Sequence, residues 1–242
     1  MSSQRDYFSL RYFLVILRKE LHEIFSSLTA YIVIGVFLAA VSYTFTSILF
    51  FQRSVTVIHA LAQAANLLLL LVPVITMRQF SKEQENGTFE LLMSTSIREL
   101  EIVLGKYMAC LVLVVLMILL TLSFPLSLSL LGSPDYGAML SAYLGLLLLG
   151  ATFIAIGLCV ASFVPNPLVA AIVSFGVLMA LWMVEVANYV LPTRWQHLAD
   201  SLSFDIHFSR FLAGAVYLSD CTFFALIIIG ALLLTVQRSV YR

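Results

Sequence analysis

Six long apolar runs, at about 28–51, 58–77, 104–131, 138–163, 167–191 and 217–236, dominate the chain. Each is close to or above the roughly 20 residues that cross about 30 Å of hydrocarbon. A backbone amide inside hydrocarbon finds no water, so spanning segments must satisfy their polar groups internally, and separate runs of this length do so as helices. The expectation is an all-α polytopic membrane protein with six transmembrane helices, residues 1–242 forming one transmembrane domain. Composition agrees. Hydrophobic residues make up 62% and charged residues 11%, with a mean hydropathy of +1.04, against about 45–50% apolar residues in an ordinary soluble domain.

Orientation follows from lysine and arginine. Arg5, Arg11, Arg18 and Lys19 precede the first run, Arg78, Lys82, Arg98 and Lys106 lie between the second and third, and Arg238 and Arg242 follow the last. With six spans these ten share one side, and only Arg53, Arg194 and Arg210 fall on the other. The positive-inside rule puts both termini and the 78–106 stretch in the cytoplasm.

Net charge is zero and the basic residues are scattered, which argues against a nucleic-acid surface. Cys110, Cys159 and Cys221 are isolated in apolar runs, the pattern of small buried hydrophobes rather than of disulfides or zinc ligands. No cleavable signal peptide is expected, because charges run through the first 27 residues. His22-Glu23 begins like a zinc-protease motif, but Ser26 stands where the second histidine is needed. Residues 5–25 place apolar groups at 10, 13, 14, 17, 21 and 24, and let Arg11, Arg18, Lys19 and Glu23 reach water. That pattern fits an interfacial helix. The alternative, a plain cytoplasmic extension of the first span, stays open.

The 78–106 stretch gathers nine of the chain's 26 formal charges. Ser81 with Gln84, and Ser96 with Glu99, fit the capping box that opens a helix. Asn86-Gly87 offers a left-handed residue to end the first turn, Thr88 can cap a second short helix, and Glu99 and Glu101 suit a helix N-terminus. A structured polar elbow is therefore expected between two spans. Glu83, Glu85, Glu90, Glu99 and Glu101 can meet basic groups of a partner, while Phe89, Leu91 and Leu92 can fill an apolar groove. Two capping boxes and an apolar cluster favour docking over an ordinary solvated loop. Gly105-Lys106 is not a phosphate loop, since Leu100 and Tyr107 replace the required glycine and hydroxyl residue. An ATPase driving this chain would have to be a separate polypeptide.

Glu85-Asn86-Gly87-Thr88-Phe89-Glu90-Leu91-Leu92, then Ile97 and Glu101-Ile102-Val103-Leu104-Gly105-Lys106, resemble the cytoplasmic coupling loop of ABC-2 type transporter permeases. The family often places a proline where Ser96 stands. Val74-Ile75-Thr76-Met77-Arg78 and Leu218-Ser219-Asp220 are most similar to gliding-motility-associated permeases. The resemblance implies a non-catalytic inner-membrane subunit without cofactors of its own, ATP and magnesium being held by two copies of a cytoplasmic ABC ATPase. It also implies a second permease copy or homologue, an envelope accessory protein, and ATPase docking through Glu83, Glu85, Gly87, Thr88, Phe89, Glu90, Leu91, Leu92, Glu101 and Lys106. An ATP-driven machine that transmits force without cargo is an alternative. A secondary transporter or channel is another, although it would normally show more intramembrane charge or an inverted repeat.

Further candidates lie in the spans and on the outer side. Glu185 is the one acid well inside a run; it lines a pathway or, if the span ends early, sits among headgroups beside Trp182 and Tyr189. Gln63 and Asn66 line a pathway or bond to a neighbouring helix. Pro73 and Pro125 each remove a helical hydrogen bond and can kink their spans. Pro165-Asn166-Pro167 is so short that the fourth and fifth spans must be antiparallel neighbours, and Ala151, Ala155, Gly157 and Ala161 in the fourth, with Gly176 and Ala180 in the fifth, give small-residue spacings that permit close packing. The segment from 192 to 216 mixes Arg194, His197, Asp205, His207 and Arg210 with bulky aromatics, too polar to span and too apolar for a free loop. Short helices dipping into the outer leaflet answer both demands. The family resemblance likewise implies re-entrant helices there, with Phe204, Phe208 and Phe211 as candidate external gate residues. His197 and His207 lack neighbouring ligands that would make a metal site.

Overall fold

The computed structural model describes residues 10–52, 56–80, 98–129, 135–184 and 202–240, and those residues are helical with short connections. The order is α1 (Leu10–Ser26), α2 (Leu28–Ser47, extended by the π-helical turn Ile48–Gln52), α3 (Ile58–Thr76), α4 (Glu99–Leu120), α5 (Ser123–Ser129), α6 (Tyr136–Phe163), α7 (Pro167–Trp182), α8 (Phe204–Leu212) and α9 (Leu218–Val240). Among the described residues, five stretches are long and apolar enough to cross a membrane: Leu28–Phe50, Ile58–Phe80, Glu99–Ser129, Tyr136–Phe163 and Leu218–Arg238. The fifth expected span is represented by α7, a shorter apolar helix, and the rest of the 167–191 run from 185 on lies outside the described residues.

α6 is the axis of the bundle. It packs against α3, α4, α7, α8 and α9, and it is buried over most of its length. Lipid supplies no hydrophobic drive between helices, so close approach and van der Waals contact carry the association. Gly157 shows how close: a Cβ there would lie 2.5 Å from Thr76 Oγ1 of α3. Ala151, Ala155 and Ala161 are buried as expected, but Gly176 and Ala180 of α7 are not. Gly176 has open space around it; α7, which packs against α6 and α3, buries its Ala170, Ser174 and Leu178 face instead. Asn166 caps α7, its Oδ1 accepting from the amides of Leu168 and Val169, with Pro167 in the first turn.

α1 is a separate helix rather than an extension of the first span. Ser27 stands between them with extended backbone and caps α2, its Oγ accepting from Thr29 N at 3.3 Å. The long third run begins earlier than its hydropathy indicates, at Glu99, with Arg98 as the extended N-cap residue. This corrects the Ser96–Glu99 capping box: Glu99 is the first helical residue, not the third, although Glu99 and Glu101 do occupy the first turn. The same run breaks at Thr121–Leu122 before α5. Pro125 has no N–H to give the Thr121 carbonyl four residues back. That carbonyl accepts instead from Phe124 N at 3.0 Å and from the Tyr143 hydroxyl of α6 at 3.0 Å. The other proline, Pro73, is accommodated inside α3, where Thr76 Oγ1 donates back to Val72 O at 3.1 Å.

Tyr143 thus joins the α4–α5 break to the central helix. Tyr143→Phe removes its donor and is expected to cost about 1 kcal/mol, read as a lower midpoint of thermal unfolding in detergent. In a Pro125→Ala background the helical donor returns, and the same substitution should cost less.

Candidate coupling site

The expected docking residues Glu83, Glu85, Gly87, Thr88, Phe89, Glu90, Leu91 and Leu92 lie outside the described residues. Both roots of that polar stretch are described, and one side chain holds them together. Lys106, at the start of the third turn of α4, is 1% exposed. Its ammonium donates to Glu20 Oε1 of α1 at 3.0 Å and to the Gln79 carbonyl, just past α3, at 2.7 Å. It also lies 5.5 Å from the centre of the Phe80 ring. Glu20 is 4% exposed and Phe80 is buried. Three backbone elements therefore converge on one buried charge. Lys19 lies 3.8 Å from Glu20 and 3.5 Å from Glu23, linking the node to the wet edge of α1.

The approach of α1 to α4 depends on Gly105. A Cβ there would fall 2.6 Å from Ile16 Cγ2. Ile16 and Glu20 are the buried residues of α1, four apart on one face. Glu101, one turn before Gly105, is buried as well. Lys106 thus turns inward to this chain's own elements, and Glu101 is likewise enclosed.

The opposite end of the bundle carries a second polar cluster. Asp220, in the first turn of α9, is fully buried, and its Oδ1 meets His207 Nδ1 at 2.7 Å and accepts from Arg210 Nη1 at 2.9 Å. His207 stacks on Phe223 at 4.0 Å between ring centres, and Arg210 lies over Tyr217. α8 and α9 can double back because Gly214 takes φ +85°, with Gly214 N bonding Phe211 O and Ala215 N bonding Arg210 O, the paired bonds of a Schellman turn. Within the 192–216 segment the described residues form one short helix, α8, and its Phe204, Phe208 and Phe211 are all buried. Phe204 contacts Phe153, Phe223 and Phe224, and Phe208 contacts Trp182. Phe211 sits on α6: a Cβ on Gly145 would lie 2.5 Å from Phe211 Cβ, and Ser141 Oγ donates to Phe211 O at 2.8 Å.

The remaining sequence candidates are scattered. Gln63 is half-buried and Asn66 exposed on α3. Glu185 and His197 lie outside the described residues. Cys110 is buried, whereas Cys159 and Cys221 are half-buried. Two residues at the centre of these clusters, Glu20 and Asp220, were not among the candidate site residues of the sequence. Glu20 interrupts the apolar face of α1 just as Lys106 interrupts an apolar run, and two opposite charges on otherwise apolar faces signal a pair.

The family model for ABC-2 family transporter proteins matches residues 14–236, from within α1 to near the end of α9. The chain belongs to the ABC-2 transporter family. It is a multi-pass membrane protein of the permease type, a class whose members are typically the non-catalytic membrane subunits of ABC transporters and work with an ABC ATPase. The comparison with curated proteins gives no match.

In this permease the Glu20–Lys106 pair is too deeply buried to lose one partner cheaply. Lys106→Met or Glu20→Leu alone should destabilise by about 3–5 kcal/mol, because each leaves a buried charge uncompensated. The double substitution should recover much of that loss, measured by chemical or thermal unfolding in matched detergent.

Proposed function

We propose that this chain is the transmembrane subunit through which ATP hydrolysis on a separate ATPase pair drives an ABC-2 exporter-like machine. The observation that carries the reading is the Lys106 node, which joins α1, the segment after α3 and the start of α4 around one buried charge. A push delivered to the intervening 81–97 stretch reaches all three elements together. Phe89, Leu91 and Leu92 are the apolar anchors of ATPase docking, with Glu83, Glu85 and Glu90 at the rim. Anchors dominate interfaces, whereas an exposed ion pair contributes about 1 kcal/mol or less.

In this reading both termini and the polar stretch are cytoplasmic, two permease copies stand over two ATPase subunits, and the α8–α9 turn closes the outer end of the pathway. Gln63, Asn66 and Glu185 are its candidate pathway residues. The similarity to gliding-motility-associated permeases supports service in surface motility or envelope assembly. The Asp220 cluster and the buried aromatics of α8 support the outer closure, since α8 can leave α6 only by breaking them.

The test is the ATPase rate of the purified complex. Phe89→Ala/Leu92→Ala should abolish co-purification of the ATPase or its stimulation by the permease, while single substitutions of Glu83 or Glu90 should change it less than about fivefold. Retention of full stimulation by a folded double variant contradicts the docking assignment.

A further inference from the structure

A cavity of about 210 Å³ opens beside the Lys106 node, between the second half of α1, the first turn of α2, the last turns of α3 and one flank of α4. Its polar wall includes Lys19, Glu23, Thr29, Arg78 and Gln79. Its inner wall is apolar, formed by groups such as Val33, Val74 and Leu113.

One part of the polar wall favours an anion. Arg78 is exposed, donates to Thr29 Oγ1 at 3.3 Å, and has no carboxylate partner among the described residues. The first turn of α2, which also lines the cavity through Ser27, Thr29 and Ala30, contains no acidic residue to offset its N-terminal pole. Another part seeks a donor. Gln79 is 7% exposed, and its Oε1 accepts no hydrogen bond among the described residues. Glu23 adds a carboxylate on the neighbouring helix.

An anion-favouring wall, a donor-seeking wall and an apolar floor at the end of membrane-spanning helices match one ligand chemistry. We propose that this cavity binds the headgroup of a membrane phospholipid that carries a primary amine. The phosphate meets Arg78, Thr29 and the start of α2, and the ammonium turns to Glu23 and Gln79. The acyl chains leave toward the exposed apolar face of α2, where Leu28, Tyr31, Ile32 and Val36 stand at helical spacing. A free phosphate would satisfy Arg78 but would leave the apolar wall and the Gln79 acceptor unmatched. A quaternary amine has no N–H to donate. The occupant sits against Glu20 and Lys106, so it also wedges α1 on the two spans beside it.

Native mass spectrometry of the full-length permease, delipidated and reloaded from equal mixtures of phosphatidylethanolamine, phosphatidylcholine and phosphatidylglycerol, reads this directly. The wild type should retain phosphatidylethanolamine about tenfold over phosphatidylcholine, the worth of one charge-assisted hydrogen bond. Arg78→Gln should lower retention of all three lipids, and Gln79→Leu should erase the preference for the primary amine. Thr29→Val, which leaves the Glu20–Lys106 pair in place, gives a second variant and should weaken phosphate-dependent retention. Excess inorganic phosphate should displace none of the lipid. Equal retention of the three lipids by the wild type, unchanged retention by a monodisperse Arg78→Gln protein, or displacement by inorganic phosphate would each overturn the assignment. These readouts require no ATPase and are independent of the docking of Phe89 and Leu92.

Discussion

A lysine buried at the edge of a membrane is costly unless its charge is matched, and Lys106 is matched by a carboxylate, a backbone carbonyl and an aromatic ring. That requirement organises the end of the bundle where α1, the segment after α3 and the start of α4 meet. Glu20 must face inward, which fixes the rotation of α1. Gly105 must lack a side chain, which lets α1 lie against α4. The segment after α3 must bring the Gln79 carbonyl and the Phe80 ring to the same point. An apolar replacement could hold these elements equally well, so the charges suit a joint in which correct seating matters more than strength.

The opposite end of the bundle uses the same device with different parts. Asp220 is fully buried and held by His207 and Arg210, and the aromatic side chains of α8 fill the space between α6 and α9. Phe211 rests where Gly145 leaves room, and the left-handed Gly214 returns the chain into α9. Each end of the bundle therefore has one buried ionic cluster joining a short helix to a long one, with the closely packed α6 between them. A bundle seated in this way moves as a few rigid pieces rather than by continuous bending, since packed interfaces are bistable and not freely deformable.

Much of this was legible in the sequence because hydropathy alone dictates helices in lipid. The runs at 28–51, 58–77, 138–163 and 217–236 lie within a few residues of α2, α3, α6 and α9, and the turn residues Asp135 and Asn166 cap helices as their types suggest. Hydropathy could not place the start of α4, because Glu99, Glu101 and Lys106 make its first turns polar while burial and an ion pair keep them helical. Nor could small-residue spacing reveal which face of α7 meets α6, since the pattern does not say what stands opposite Gly176. The pairings Glu20–Lys106 and His207–Asp220 join residues 86 and 13 apart, and only tertiary structure reports that separation as contact. Charges on otherwise apolar faces were the available signal, and they point to a partner without naming it.

Joined through the Lys106 node, α1 and the start of α4 should move together as one rigid unit. Spin labels at Arg18 on α1 and Met108 on α4, both exposed, measure it by pulsed electron resonance on the assembled complex with and without trapped nucleotide. The distance within one subunit should stay fixed while the distance between the α1 helices of the two proposed permease copies changes. A distance between Arg18 and Met108 that shifts or broadens with nucleotide would contradict it, because α1 and α4 would then be moving separately.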